Sequence, residues 1–162
     1  MTSHRQIMTD AATAVRDSET VRAYAVQHFG RGLEINVGAY PQGIPGEADA
    51  PFLWLYAEGE NEEVAADETF TVRAVVGALV QGPYGEKKIK SVVTERTATA
   101  NGLVVNGGNK LVEDFRDIIM GVVREAKAGA IVSKMRRTEN DLSHFPLEWA
   151  EFEIDYFEPE AL

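Results

Sequence analysis

The sequence predicts an α+β domain: a single mixed or antiparallel sheet of about four to six strands, two main helices packed on it, and a projecting β-hairpin. Three observations carry that reading. Phe70, Val72, Ala74, Val76, Ala78 and Val80 recur at every second position with Thr71 and Arg73 outside, and from Trp149 to Phe157 Ala150, Phe152, Ile154 and Tyr156 alternate with acids, the period of a half-buried strand. Between them, Leu111 to Ala126 repeats its apolar residues with the period of an amphipathic helix. Two extended runs also flank Asn101-Gly102, a dipeptide suited to a two-residue hairpin turn because both central positions need positive φ. At 162 residues the chain has the length of one domain, 1–162, and enough material for its own core.

Taken in order, a first helix is expected over Ser3–Arg16, with Ile7, Ala11, Ala14 and Val15 on one face. That stripe is thin and predicts that the helix packs weakly or against something small. Ser18 is suited to cap a second, short helix carrying Val21, Tyr24, Ala25 and Phe29, which Gly30 ends. Leu33, Ile35 and Val37 alternate as a strand. A Pro/Gly loop follows from Tyr40 to Pro51, and then an apolar strand, Phe52–Tyr56. Without alternation, that strand is either central and covered on both faces or presents its outer face to another subunit. Glu58 to Glu68 is an acidic connection holding Glu58, Glu60, Glu62, Glu63, Asp67 and Glu68, and the long strand to Val80 comes after it.

Gln81 to Gly108 is too long for an ordinary connection, so it needs structure of its own; an extended hairpin, mobile in the free protein and ordered in an assembly, is expected there. In the next helix Leu111, Phe115, Ile118, Val122 and Ala126 define the centre of the apolar face, and Val112, Ile119 and Val123 widen it. A face that broad predicts burial against the sheet and also against a neighbour. Gly129 closes the helix, Ala130–Arg137 returns as a strand, and the last strand sets Ala150, Phe152, Ile154 and Tyr156 against Glu151, Glu153 and Asp155. Burying its three large side chains contributes roughly 1.5–3 kcal/mol each, enough to settle the register.

Composition narrows the function classes. Apolar and charged fractions of 44% and 26% suit a globular protein, and no apolar run reaches the ~20 residues of a membrane span. No membrane partner is therefore expected, and the charged N-terminal region predicts synthesis in the cytoplasm. The lack of cysteine excludes disulfides, thiolate metal sites and cysteine nucleophiles. A net charge of −10 argues against direct nucleic-acid recognition, because that affinity comes from neutralising phosphates. The concentrated basic stretches, Lys87-Lys88-Ile89-Lys90 and Lys134-Met135-Arg136-Arg137, contain no aromatics and read as solvated charges guarding strand edges.

A search for catalytic chemistry returns little. His4, His28 and His144 are scattered, with none spaced as a metal ligand pair, and His28 reads as a surface residue near a helix end. The acidic stretch lacks the calcium-loop spacing, and adjacent loop acids such as Glu62 and Glu63 have no apolar pocket to shift their pKa values. Gly30-Arg-Gly32 precedes a strand and lacks a third glycine, while Gly107-Gly108-Asn109-Lys110 lacks phosphate-loop spacing. No catalytic residue, cofactor or metal is predicted. The candidate interaction residues are Glu58, Glu60, Glu62, Glu63, Asp67 and Glu68 together with Lys87, Lys88, Lys90, Arg136 and Arg137. The acidic group is expected to face a basic partner or Lys87–Lys90 of a neighbouring subunit.

Two stretches carry a family resemblance. One runs helix, Asp17-Ser18, short helix, Phe29-Gly30-Arg31, strand, then Pro51 and Phe52-Leu-Trp-Leu-Tyr56. The other is the helix Leu111–Ala126, a strand, and Phe145-Pro-Leu-Glu-Trp149-Ala-Glu-Phe-Glu-Ile-Asp-Tyr156. Together they resemble the tail terminator or tail completion proteins of long-tailed bacteriophages and prophages. The resemblance implies a non-enzymatic virion assembly protein, made in the host cytoplasm and incorporated in the tail. Its homo-oligomeric ring, typically hexameric, would cap the head-proximal end of the tail and stop tube polymerisation. The implied partners are further copies of the chain, the tail tube protein and the head–tail connector. Another neck or tail component fits the same residues. A competing class is a monomeric ligand-binding or enzymatic domain with a pocket at Trp54, Tyr56 and Trp149; aromatics in alternating strands are more often core.

Overall fold

A computed structural model describes residues 3–39, 43–57, 69–79, 81–90, 93–100, 103–106, 110–135 and 147–157. Helices α1 (His4–Asp17) and α2 (Glu19–Phe29) precede strands β1 (Glu34–Val37) and β2 (Phe52–Ala57), with a short 3₁₀ turn at Glu47–Asp49 between the strands. Strands β3 (Thr69–Leu79), β4 (Gln81–Lys90), β5 (Val93–Ala100) and β6 (Leu103–Asn106) lead to α3 (Lys110–Ala126), β7 (Ala130–Lys134) and β8 (Leu147–Phe157). The main sheet is mixed and open, with strand order β1-β2-β3-β8-β7. Only the β1–β2 pair is parallel. This is the α+β class that the sequence predicts.

Local chemistry explains the boundaries. Ser3 and Ser18 accept hydrogen bonds through Oγ from the backbone N–H groups of Gln6 and Val21, satisfying donors that the first helical turns leave free. Gly30 ends α2 at φ 78°, a left-handed conformation that costs a glycine nothing. The long β3 pairs with β8 from Thr69 opposite Phe157 to Leu79 opposite Leu147. Alternation then divides the side chains between two faces. Leu53, Leu55, Val72, Ala74, Val76, Phe152 and Ile154 join the helices in the main core, whereas Phe52, Val75 and Leu147 form a second cluster on the opposite face with Trp54, Tyr56 and Trp149. Strand β2 is therefore central and covered on both sides, the first of its two predicted readings.

Several expectations need correction. The segment from Gln81 to Asn106 forms a separate antiparallel sheet, β4-β5-β6, one strand more than a hairpin. Its β5–β6 unit places Ala100 opposite Leu103, the pairing predicted from Asn101-Gly102. Helix α1 does not pack weakly. Ile7, Met8, Ala11 and Val15 are buried, and the helix contacts α3 and β1 to β3, because Met8 widens the stripe toward α3 and the sheet. The buried face of α3 is centred on Val112, Phe115, Ile119 and Val123, with Ile118 and Val122 only half-buried and Ala126 exposed. That face is covered by α1, α2 and the sheet within one chain, so its breadth needs no neighbour. Strand β7 stops at Lys134, and Arg136 and Arg137 lie outside the described residues.

Candidate functional site

The predicted interaction residues separate into two sets. Glu58, Glu60, Glu62, Glu63, Asp67, Glu68, Arg136 and Arg137 fall outside the described residues. Lys87, Lys88 and Lys90 lie on β4, with Lys87 opposite Glu95, Lys88 opposite Thr94 and Lys90 opposite Val93. Lys134, from the second basic stretch, pairs with Asp117 on α3 at 3.1 Å, and Asp117 also accepts from Arg116 Nε at 3.2 Å. That solvent-exposed pair bridges β7 and α3.

Trp54, Tyr56 and Trp149, the alternative pocket, pack in the second cluster. The Trp54 and Tyr56 rings lie 4.5 Å apart, Trp149 meets Phe52 edge-on at 6.3 Å, and the Trp54 indole N–H donates to the Gly38 carbonyl at 2.7 Å. His28, the expected surface residue, is half-buried against Tyr24 at 4.2 Å. Tyr24 in turn stacks on Phe115 at 5.1 Å and 8°, and its hydroxyl donates to the Leu111 carbonyl at 3.1 Å. Burial, with a smaller contribution from nearby Asp114, pushes the Tyr24 phenol up to about 12. Its folded pKa is raised, so the associated stability is intact below the usual phenol pKa and falls as pH rises from there toward 12. Alkaline denaturation followed by circular dichroism should therefore start at higher pH in Tyr24→Phe than in the parent.

A concave surface that the sequence reading missed lies beside β1. Thr9, Ala12, Thr13 and Arg16 of α1 face Leu33, Ile35 and Val37 across a groove of 370 Å³. Alternation in β1 aims Leu33, Ile35 and Val37 toward α1, and the helical repeat puts Thr9, Thr13 and Arg16 on the facing side. Arg16 is bonded to Asp17 at 3.0 Å, which holds that carboxyl below its usual range. Alternation at Leu33–Val37 was legible as a strand; its place at the rim of the sheet was not.

The two edges of the main sheet differ. At β7, Met135 N–H donates to the Glu151 carbonyl, so the antiparallel pattern turns the backbone groups of Ala130, Val132 and Lys134 outward. Two of these outward groups are capped: Ala130 N–H donates to Lys127 O, and Arg124 Nη2 donates to Val132 O at 2.9 Å. At β1, Glu34 N–H donates to Pro51 O and Gly38 N–H to Leu55 O. In a parallel ladder this turns Ile35 and Val37 outward, and among the described residues nothing hydrogen-bonds their N–H or C=O groups.

Comparison with family models, curated proteins and solved structures finds no match to this chain. Among the described residues no cluster of three metal-ligating side chains occurs, and no helix is long and apolar enough to cross a membrane. The described features with chemistry available to a partner are the open β1 edge, its groove, and an exposed apolar pair on the other side of the sheet. Ile131 is 64% exposed and Phe157 51%. Both lie on the face away from the helices, because Ile131 stands opposite Asp155, two residues before Phe157.

Proposed function

We propose that the protein is a structural assembly protein of a phage tail, forming a homo-oligomeric ring that ends tail-tube growth and presents the surface joined by the head connector. The observation that carries the reading is the Ile131–Phe157 pair, two large exposed apolar side chains on the same face of the neighbouring strands β7 and β8. Covering them against a different surface of the next copy is a heterologous contact, the type that closes into rings. The order of elements supports it too: an N-terminal helix, a sheet of about four strands and a later helix on that sheet are what the resemblance to tail terminator proteins implies, and here a short second helix follows the first.

Light scattering and sedimentation of the purified protein are expected to give a particle of several protomers, alone or when mixed with tail tubes. Ile131→Glu with Phe157→Glu is expected to reduce it to monomer while leaving the circular dichroism spectrum unchanged. A parent protein that stays monomeric at millimolar concentration and with tubes present would remove the ring. A second reading, a monomeric ligand-binding domain, is favoured by the groove between α1 and β1. The same mass measurement separates the two.

A further inference from the structure

We propose that Met135 is a site of reversible oxidation, a thioether that takes one oxygen atom from a peroxide and whose sulfoxide is then held by Arg73. Val72 and Ala74 point into the main core, so Arg73 between them stands on the sheet face away from the helices, opposite Glu153 of β8. Its guanidinium reaches past that strand. Nε lies 3.5 Å from Glu153 Oε2, and Nη1 donates to the Met135 sulfur just beyond the end of β7. The Met135 N–H donates to the Glu151 carbonyl at 3.1 Å, which fixes the backbone there and keeps the sulfur within reach of the guanidinium. A guanidinium N–H is a strong, charged donor, whereas a thioether is a weak acceptor. An oxygen on the sulfur removes that mismatch.

Two further observations single this residue out. The chain has no cysteine, so peroxide chemistry falls on its methionines. Met8 and Met120 are buried at 7% and 1% exposure in the main core, where a sulfoxide would set a polar oxygen among apolar side chains; Met135 is only half-buried, open to a small oxidant. The step balances with hydrogen peroxide alone. A sulfur lone pair attacks one peroxide oxygen, the O–O bond breaks, and the departing hydroxide takes the proton from the transferred oxygen and leaves as water. Sulfur is oxidised by two electrons and the peroxide reduced by two. The new oxygen accepts the Arg73 N–H in place of sulfur, which ties β7 to β3 across β8 by a charge-assisted bond. A dithiol-dependent methionine sulfoxide reductase restores the thioether, the oxygen leaving as water and the dithiol as a disulfide. The inference concerns one protomer and does not rest on the ring.

The test treats the purified full chain with dilute hydrogen peroxide and reads the oxidised positions by peptide mass spectrometry and the consequence by thermal unfolding. Met135 is expected to gain one oxygen while Met8 and Met120 stay reduced until the protein is unfolded in urea. The singly oxidised parent should melt about 2–4 °C above the reduced one, and the gain should disappear after treatment with a sulfoxide reductase and dithiothreitol. Exposure alone explains the order of oxidation but not that gain. In Arg73→Leu the same oxidation should lower the melting temperature, and Met135→Leu should not respond to peroxide. Met135→Gln places an amide oxygen near the guanidinium without any oxidant; it should melt no lower than Met135→Leu, although leucine is the more apolar filler, and this comparison decides in the parent chain if Arg73→Leu does not fold. Oxidation of Met8 or Met120 as early as Met135 in the folded protein would overturn the proposal. So would a parent destabilised by the Met135 sulfoxide, or Met135→Gln melting below Met135→Leu.

Discussion

Replacing Gly77 by alanine is expected to lower the unfolding free energy by about 3 kcal/mol, at the upper end of what overpacking a core costs. Gly77 lies mid-strand in β3, between Phe52 on β2 and Trp149 on β8 in the same row of the sheet. The Phe52 ring lies so close to the glycine that a Cβ there would overlap its Cζ and Cε1 atoms. Phe52 is fully buried and cannot swing into solvent. Glycine is poor in a strand for entropic reasons, so its use here is explained by the ring it shelters. Urea denaturation of the single variant and of Gly77→Ala with Phe52→Leu tests the cause. The smaller side chain should recover part of the loss, giving a coupling energy of roughly 1 kcal/mol or more. A Gly77→Ala protein as stable as the parent would show that the ring has another place to go.

Phe115→Ala is expected to cost about 3–5 kcal/mol, the usual range for deleting a fully buried aromatic ring. Phe115 is inaccessible to solvent, stacks on Tyr24 and lies 5.4 Å from Phe29. Helix α2 has only Val21 and Ala25 fully buried, so these aromatic contacts supply much of its attachment to α3. The variant should therefore lose hydrogen-exchange protection in residues 19–29 before the sheet does. Uniform loss of protection across the domain would place α2 in the same cooperative unit as the core.

How much of this was legible depends on where the information lies. Strands β3 and β8 announce themselves because each is amphipathic with a period of two, and Ser18 and Gly30 mark α2 through single-residue chemistry. The weight of α1 was not legible from Ile7, Ala11, Ala14 and Val15 alone. A methionine reads as neutral until its surroundings are known, and here Met8 extends the buried stripe. The α3 face lay one position away from its predicted centre because Val112, Ile119 and Val123 are as apolar as Ile118 and Val122, and only the sheet's position decides between them. Strand order was hidden as well. Nothing in Leu33–Val37 states that it runs parallel to Phe52–Ala57 at an edge, which is why the β1 groove and the unequal protection of the two edges emerge only in three dimensions. Lys87, Lys88 and Lys90, picked out by charge density, have their backbone placed by β4 pairing.

Strand β8 is inserted between β3 and β7, and its pairing joins Thr69 to Phe157 across most of the chain. During synthesis from the N-terminus, β1, β2 and β3 are available long before the strand that covers the second side of β3. Until Leu147–Phe157 has left the ribosome, β3 is a long exposed edge rich in valine and alanine, open to the β3 of another nascent chain. Native closure is thus a late, long-range event of the kind that slows folding. On a polysome the hazard is greatest between neighbouring ribosomes, and expression yield should respond more to the rate of translation through β8 than to changes in either N-terminal helix.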